Sequence, residues 1–230
     1  MASPPPTSDH PDETVTAPAR RPGGRSAAVR RRVLDAALAQ LVQHGYDSLS
    51  IEVVAERSGV HRTTVYRRWR DVGGLLADVL DEAGADAWRP PDTGSLEGDL
   101  VAVNREVYTA LTTDPVTVAL IAASFRSERA AHALSAFWAG RYDRCADITR
   151  RAVDRGEIPP GTDARRLLIA TTAPLYHELV LLRAATDADL PDRVARSATT
   201  AARAGAFTDP LSTISSAEAA HTHHHRPPTP

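Results

Sequence analysis

Residues 50–70 read SIEVVAERSGVHRTTVYRRWR, and this stretch decides the fold. Its first half places apolar and small residues at positions i, i+3, i+4 and i+7, the spacing of a helix with one buried face. Ser50 stands where a helix N-cap is expected, and Gly59 interrupts the pattern. The sequence therefore predicts a short helix followed by a tight turn.

A second helix is predicted over residues 61–70. Val65 and Trp69 lie on one side of it, and the other positions are mainly polar, with four arginines among them. Two helices joined by a glycine-containing turn are typical of a helix-turn-helix, whose second helix fits the major groove of DNA. The polar side is therefore the candidate DNA-binding surface.

The residue types on this polar side match the groups that DNA offers. An arginine can donate two hydrogen bonds to guanine O6 and N7, and a threonine offers a hydroxyl to base edges and a methyl to thymine. Arginine and tyrosine further along the helix, and a serine capping the preceding helix, are suited to phosphates. We therefore expect bases to be read by Arg62, Thr63 and Thr64, and phosphates to be held by Ser50, Tyr66, Arg67 and Arg68.

Helical spacing continues on both sides of this stretch, and we find no convincing run that alternates as a half-buried strand does. A helix over residues 25–44 precedes it, and another over residues 75–88 follows Gly73 and Gly74. Beyond a proline-rich break, helices are predicted over residues 96–113, 115–125, 128–155, 163–183 and 191–204, with a kink at Pro174. The predicted fold class is all-α, with about nine helices.

Composition divides the chain into four parts. Residues 1–24 and 207–230 are rich in Pro, Ser, Thr and other polar or small residues and have no apolar period, so we expect a disordered arm and a disordered tail. Residues 25–72 are expected to form a three-helix DNA-binding domain of the helix-turn-helix type. Residues 73–206 are expected to form a larger helical domain.

Charge is distributed unevenly along the chain. Residues 20–70 contain eleven arginines and four acids, a local charge of +7, so the remainder carries −9 of the total of −2. A basic segment on an acidic body is the charge pattern expected of a small nucleic-acid-binding head. A solvated basic face on a small helical bundle is the alternative reading of the same arginines.

Other features limit the class of protein. No stretch approaches the roughly 18 apolar residues of a membrane span, and residues 1–22 lack the apolar run of a secretory signal. Cys145 is the only cysteine, which fits a reducing compartment, and it is expected to be an inert small hydrophobe within its helix. We therefore expect a cytoplasmic protein with no membrane partner.

Residues 33–80 resemble the DNA-binding domain of the TetR family of bacterial transcriptional regulators, also called the AcrR type. The resemblance rests on a Gly-Val turn, a Thr followed two positions later by Tyr, a further aromatic residue, and a Leu-Leu pair, found here as Gly59-Val60, Thr64, Tyr66, Trp69 and Leu75-Leu76. It implies a homodimer that binds palindromic double-stranded operator DNA through the residues already named. It also implies a larger domain for dimerisation and for a small-molecule inducer.

Two positions depart from the family pattern. Glu52 stands where relatives often carry a basic or polar group facing DNA, so its carboxylate is expected to point away or to disfavour some DNA sequences. Val72 and Gly73 replace the Lys or Glu common before the fourth helix, so one phosphate contact is expected to be missing. Arg70 is the residue expected to compensate.

Two helices of the body are candidates for the dimer interface that the resemblance implies. Small residues permit close approach of helices, so a four-helix interface built from two copies of the last helix pair is the natural prediction. The residues assigned to it are Leu175, Leu179, Ala195, Ala198 and Ala202. Packing of the same residues within one subunit is the alternative.

An inducer pocket needs apolar walls with a few polar groups. The body offers aromatic residues and one histidine that fit this description, namely Tyr108, Phe125, Phe137, Trp138, Tyr142, Tyr176 and His177. Each of them singly is also a candidate for simple core filling. A transition-metal site at His221, His223, His224 and His225 is a further alternative to a solvated tail, which we favour, so no metal and no other cofactor is expected.

The predicted function is a repressor that leaves its operator when a small, hydrophobic ligand binds. An enzyme is not expected, because the sequence has no recognisable nucleophile with its base, phosphate-binding loop or ligand cluster. A non-inducible architectural or nucleoid-associated protein with the same head and a filled body is the second hypothesis. A pocket in the body, or its absence, separates the two.

Overall fold

A computed structural model describes residues 24–208, and every regular element in that range is helical. The predicted all-α class, with a helix-turn-helix domain and a larger helical domain, is confirmed. The helices are α1 (Gly24–His44), α2 (Ile51–Ser58), α3 (Arg62–Trp69), α4 (Val72–Gly84), α5 (Leu96–Thr113), α6 (Pro115–Ser124), α7 (Glu128–Asp154), α8 (Ala164–Tyr176) and α9 (Leu190–Arg203).

The start of α4 differs from the prediction. The helix begins at Val72, capped by the Asp71 side chain, so Gly73 and Gly74 lie inside its first turn and do not precede it. A Cβ atom at Gly74 would collide with the Trp69 carbonyl oxygen, and one at Gly73 would collide with a side chain at the start of α7. These glycines are therefore explained by close packing of the helix start, and not by a break in the helix.

The predicted helix over residues 163–183 is also wrong in its second half. The α8 helix ends at Tyr176, and a single π-helical turn, His177–Leu181, follows it. Pro174 has no N–H to donate to the carbonyl one turn earlier, which weakens the helix at this point. The chain therefore changes its hydrogen-bonding register where a simple kink was predicted.

Buried apolar residues form three clusters. The first joins α1 to α4 with the end of α6 and the start of α7, so the head shares its core with the body. The second joins α5, α7, α8 and α9, and the third joins α5 and α6 to the ends of α8 and α9. The long helix α7 thus runs from beneath the head into the centre of the body.

The ends of the described region shift the predicted boundaries slightly. Gly24 begins α1, and Phe207 packs against the second cluster while its carbonyl accepts the Asp163 N–H, so neither belongs to a disordered segment. The rest of the predicted arm and tail, including the histidine cluster, lies outside residues 24–208. Within that range no single helix has the length and apolar character of a membrane span, although the bent pair α5 and α6 together meets that criterion.

Candidate functional site: a helix-turn-helix face and an aromatic cavity

The helix-turn-helix is shaped by caps and by one left-handed glycine. The Ser50 hydroxyl accepts the Val53 N–H at 3.2 Å and starts α2 as predicted. Gly59 ends α2 with a φ of 64°, a conformation that residues with a side chain rarely adopt. His61 then caps α3 by accepting the Thr63 N–H. The turn between α2 and α3 is therefore only three residues long, from Gly59 to His61.

The inner face of α3 is anchored in the core. Val65 is fully buried and Trp69 is only 3% exposed, both in the first cluster. The Trp69 indole Nε1 also donates to an Asp78 carboxylate oxygen at 2.8 Å. Apolar contact and this partly buried hydrogen bond together fix the orientation of α3 on α4.

The outer face of α3 is largely exposed. Five of the six predicted contact residues on α3 are exposed, namely Arg62, Thr63, Tyr66, Arg67 and Arg68. The sixth, Thr64, is half-buried. Tyr66 keeps 59% of its surface exposed, although tyrosine usually buries most of its ring. The face is therefore basic, open and rich in hydrogen-bond donors.

Glu52 does not point away from this face. Its carboxylate lies 3.4 Å from the Arg62 guanidinium, and both side chains are more than half exposed. An exposed pair of this kind contributes little to stability because water and salt screen it. Its effect is on orientation: the ion pair holds the arginine beside the start of α2, a detail that the sequence pattern did not reveal.

Asp78 joins three helices of the head. Its carboxylate accepts the Trp69 indole N–H and two Arg30 N–H groups, at 3.0 and 2.7 Å. Partial burial raises the pKa of this carboxyl, but the Arg30 and Trp69 hydrogen bonds outweigh burial, and the net pKa is lowered. The side chain is therefore ionised at neutral pH and ties α1 and α3 to α4.

A second contact connects the head to α7. The Arg129 guanidinium lies 3.2 Å from the Asp71 carboxylate and also donates to the Trp69 carbonyl oxygen at 3.4 Å. Arg129 is in the first turn of α7, whose middle lies in the body. The turn between α3 and α4 therefore touches the helix that runs through the body.

The body contains a cavity of about 480 Å³ where the three apolar clusters meet. Helices α1 and α4 to α8 contribute to its wall. Four of the residues predicted for a pocket line it, namely Phe137, Trp138, Tyr142 and Tyr176. The Trp138 ring stacks on Tyr142 and meets Phe137 and Tyr176 edge to face, with ring centroids 5.2 to 6.1 Å apart.

Three predicted pocket residues lie outside this cavity. Phe125 follows the last residue of α6 and is 75% exposed, and His177 is exposed on the π turn. Tyr108 packs against the third cluster, beside the cavity wall and not in it. The sequence could not separate these three residues from the four that line the cavity, because helical spacing gives a residue's face but not the position of a hole in the core.

Two further wall residues, Trp88 and Arg141, carry no signal in the sequence. Trp88 comes after the end of α4 and is brought back against α7, where the Arg141 guanidinium carbon lies 4.4 Å from its ring centroid. Both residues line the cavity. No local pattern marks them, because they are 53 positions apart and meet only through the packing of α4 on α7.

Apart from Arg141 and the capping Asp114, the charged residues of the wall, Arg31, Asp35, Glu82 and Glu106, are exposed. Burial raises the pKa of the Cys145 thiol to about 11 and raises the pKa of the Tyr142 and Tyr176 phenols. All three groups are therefore protonated at neutral pH. The interior offers an apolar surface with a few hydrogen-bond donors.

The residues assigned to a dimer interface pack inside the chain. Ala195 and Ala202 are fully buried in the second cluster with Ala198, and Leu175 is fully buried in the third with Leu179 packed against it. Within residues 24–208 they therefore pack as the alternative stated for them predicts, and a dimer interface at these residues stays a prediction. Their small side chains let α9 approach α5 and α8 closely within one subunit.

Two family profiles match the chain. One, described as bacterial regulatory proteins of the tetR family, covers residues 33–79, and the other, a tetracyclin repressor-like C-terminal domain, covers residues 90–198. The HTH-type transcriptional regulator AqdR of Rhodococcus erythropolis is 35% identical over 156 residues, which are 66% of this chain and 74% of that protein. The chain belongs to the TetR family.

Further relatives agree with this assignment. The DNA-binding transcriptional repressor TetR of Mycobacteroides abscessus is 35% identical over 164 residues, covering 68% of this chain and 83% of that protein. The solved structure of the TetR family transcription regulator SCO0332 has a TM-score of 0.58 and 30% identity, and it covers 75% of this chain and 97% of its own. This TetR-family member is a DNA-binding transcriptional regulator and not an enzyme.

Proposed function

We propose that this regulator is a repressor that binds palindromic operator DNA as a homodimer and is released by a small hydrophobic ligand. The observation that carries the proposal is the pairing of an open basic face on α3 with a cavity that α4 shares with the body. One surface is suited to DNA, the other is suited to an effector, and α4 touches both regions.

The DNA contacts are assigned to the outer face of α3 and the start of α2. Arg62, Thr63 and Thr64 read bases, and the phosphates are held by Ser50, Tyr66, Arg67 and Arg68. When Arg62 reaches a guanine it leaves Glu52, and the exposed carboxylate then disfavours DNA sequences that place a base acceptor beside it. Glu52 thus contributes to the choice of operator by repulsion.

Dimerisation is assigned to the outer faces of α8 and α9, since their inner faces are used within the chain. Small side chains are exposed there, Ala170 and Ala173 on α8 and Ser197 and Thr200 on α9. Leu181 and Leu182 are 65% and 58% exposed next to this surface, an unusual exposure for leucine. A second copy related by a two-fold axis would cover the leucines and pair the small residues.

Ligand release is assigned to α4. Val79, Leu80 and Ala83 line the cavity, and Asp78, which directly precedes them, holds Trp69 of the recognition helix. A ligand that binds one arrangement of α4 better than another shifts the population towards that arrangement. Movement of Asp78 then changes the orientation of α3, so that the two heads of the dimer no longer fit one operator.

The alternative of a non-inducible architectural protein required a filled body. A cavity of about 480 Å³ is within the usual size of ligand sites and argues against a filled body. An architectural protein that binds DNA without sequence preference also needs no residues that contact base edges. Arg62 and Thr63 are exposed at the start of α3, where they are suited to such contacts.

The test is a selection of bound sequences from genomic DNA by the full chain, repeated with a library of hydrophobic metabolites. We expect one enriched palindrome and at least one compound that abolishes its binding. Ala110→Phe, which projects a ring into the cavity far from α3, should keep the palindrome and lose the response. Binding with no sequence preference, or a monomer on DNA, would contradict the proposal.

A further inference from the structure

Hydrogen-bond donors lie in the interior of the cavity, and most of its acids lie at its mouth. The interior wall presents the Arg141 guanidinium and the phenols of Tyr142 and Tyr176. Three lining acids, Asp35, Glu82 and Glu106, are exposed, and the fourth, Asp114, uses its carboxylate to cap α6. A ligand that enters the apolar interior therefore meets groups that donate hydrogen bonds.

Arg141 has more donors than its neighbours can accept. Its Nη2 atom donates to an Asp86 carboxylate oxygen at 2.8 Å, and the same carboxylate lies 3.8 Å from the Arg144 guanidinium. The Nη1 atom of Arg141 is buried and finds no acceptor among residues 24–208. Two guanidiniums share one carboxylate, so this part of the wall keeps a positive charge and an unused donor.

Flat rings surround this donor. The Arg141 guanidinium carbon lies 4.4 Å from the centroid of Trp88 and 5.3 Å from that of Phe137. Trp138 meets the Phe137 ring edge to face, with an interplanar angle of 79°. Perpendicular rings leave both a face and an edge available, which suits a flat aromatic guest by stacking and edge contact.

We propose that the cavity binds a flat aromatic molecule carrying an oxygen acceptor, either a carboxylate or a carbonyl, with Arg141 as its polar anchor. The inference deepens the proposed function, on which it rests for the identity of the cavity as the effector site. The ring of the guest lies among Trp88, Phe137 and Trp138, and its oxygen accepts a hydrogen bond from the guanidinium edge. A volume of about 480 Å³ admits two or three fused rings with a short substituent.

Calorimetric titration of the full chain without DNA tests this with four probes that share one ring system. They are 2-naphthoate, 2-acetylnaphthalene, naphthalene and 2-(aminomethyl)naphthalene. We expect the two acceptor-bearing probes to bind at least about tenfold more tightly than naphthalene and the cationic amine. The stronger of the two identifies an anionic or a neutral acceptor. Equal affinity for all four probes, or strongest binding of the amine, would overturn the proposal.

Two matched variants identify the anchor. Arg141→Gln should reduce the affinity for the acceptor-bearing probes about tenfold and leave naphthalene unchanged. Arg150→Gln is the control, because Arg150 is on the same helix, its side chain is 61% exposed, and it does not line the cavity. It should bind all probes as the unchanged chain does. An equal loss in both variants, with both still melting cooperatively, would assign the effect to general packing and overturn the role of Arg141.

The readout separates this inference from the proposed function. Probes that bind through Arg141 but never release operator DNA would support the ligand class and contradict release by a ligand. A chain that selects a palindrome and loses it with an unrelated compound, but binds no acceptor-bearing naphthalene, would support the repressor and overturn the ligand class.

Discussion

The head and the body of this regulator place their functional residues in opposite ways. The outer face of α3 exposes side chains from one continuous stretch of eight residues, held by a buried inner face. The cavity is lined by residues from six helices and from the segments between them, spread from Arg31 to Tyr176. A surface built locally depends on one short segment for its DNA sequence preference, whereas the shape of a cavity built by tertiary packing also depends on how distant helices pack.

We therefore expect the inner face of α3 to determine the stability of the protein and the outer face to determine its affinity for DNA. Trp69→Ala removes a ring that is 3% exposed and the hydrogen bond to Asp78, so the free energy of unfolding should fall by about 3–5 kcal/mol. Tyr66→Ala, on the exposed face, should change stability by less than about 0.5 kcal/mol and still weaken DNA binding. Urea unfolding followed by circular dichroism measures the stability of both variants, and DNA titration measures the affinity of Tyr66→Ala. Equal destabilisation by the two substitutions would contradict this division between the two faces.

Two arginines of the outer face should differ in kind. Arg62→Ala should cost about 1–3 kcal/mol of binding and relax the preference at one base pair. Arg68→Ala should weaken all DNA sequences alike and reduce the salt dependence of binding by about one unit of slope. Titration of operator variants at several salt concentrations measures both, and unchanged discrimination after Arg62→Ala would remove it from the base readers.

The body supplies a third prediction, on the thiol of its cavity wall. With a pKa of about 11 against an ordinary value of 9.0, Cys145 should be protonated at pH 8 and alkylate slowly. The thiolate fraction should fall about a hundredfold, and the greater nucleophilicity of a less acidic thiolate offsets part of this fall, so we expect about a tenfold lower rate with iodoacetamide in the folded chain than in urea. A folded rate equal to the unfolded one would mean that the wall is wet and open.

The same contrast explains what could be predicted from the sequence. Gly59, Val65 and Trp69 carry local signals, since turn chemistry and helical spacing act within a few residues, and they predicted the helix-turn-helix correctly. The face of α9 that bears Ala195 and Ala202 was recognised as a packing surface, but its partner was not, because small residues serve contacts within and between subunits alike. Cavity membership depends on distant pairs such as Trp88 with Arg141, for which helical spacing has no signal.

Asp78 links the two regions and gives the smallest predicted effect. Asp78→Asn keeps the shape and one acceptor for the Trp69 indole but loses the charge that faces Arg30, and the pair is partly exposed. We therefore expect a loss of only about 1 kcal/mol at neutral pH, measured by urea unfolding. Asp81→Asn, an exposed change on the same helix, is the matched control and should leave stability unaltered.

The pH dependence of this loss follows from the lowered pKa of Asp78. A carboxyl whose pKa is lowered by folding stabilises the native state fully above its ordinary value of 3.8, and this stabilisation disappears as the pH falls through the lower folded value. The gap between the unchanged chain and Asp78→Asn should therefore shrink as the pH falls below 3.8. If the difference in stability stayed constant down to the acid transition, the effect would come from hydrogen-bond geometry alone. The charge of Asp78 would then not stabilise the contact between α1, α3 and α4.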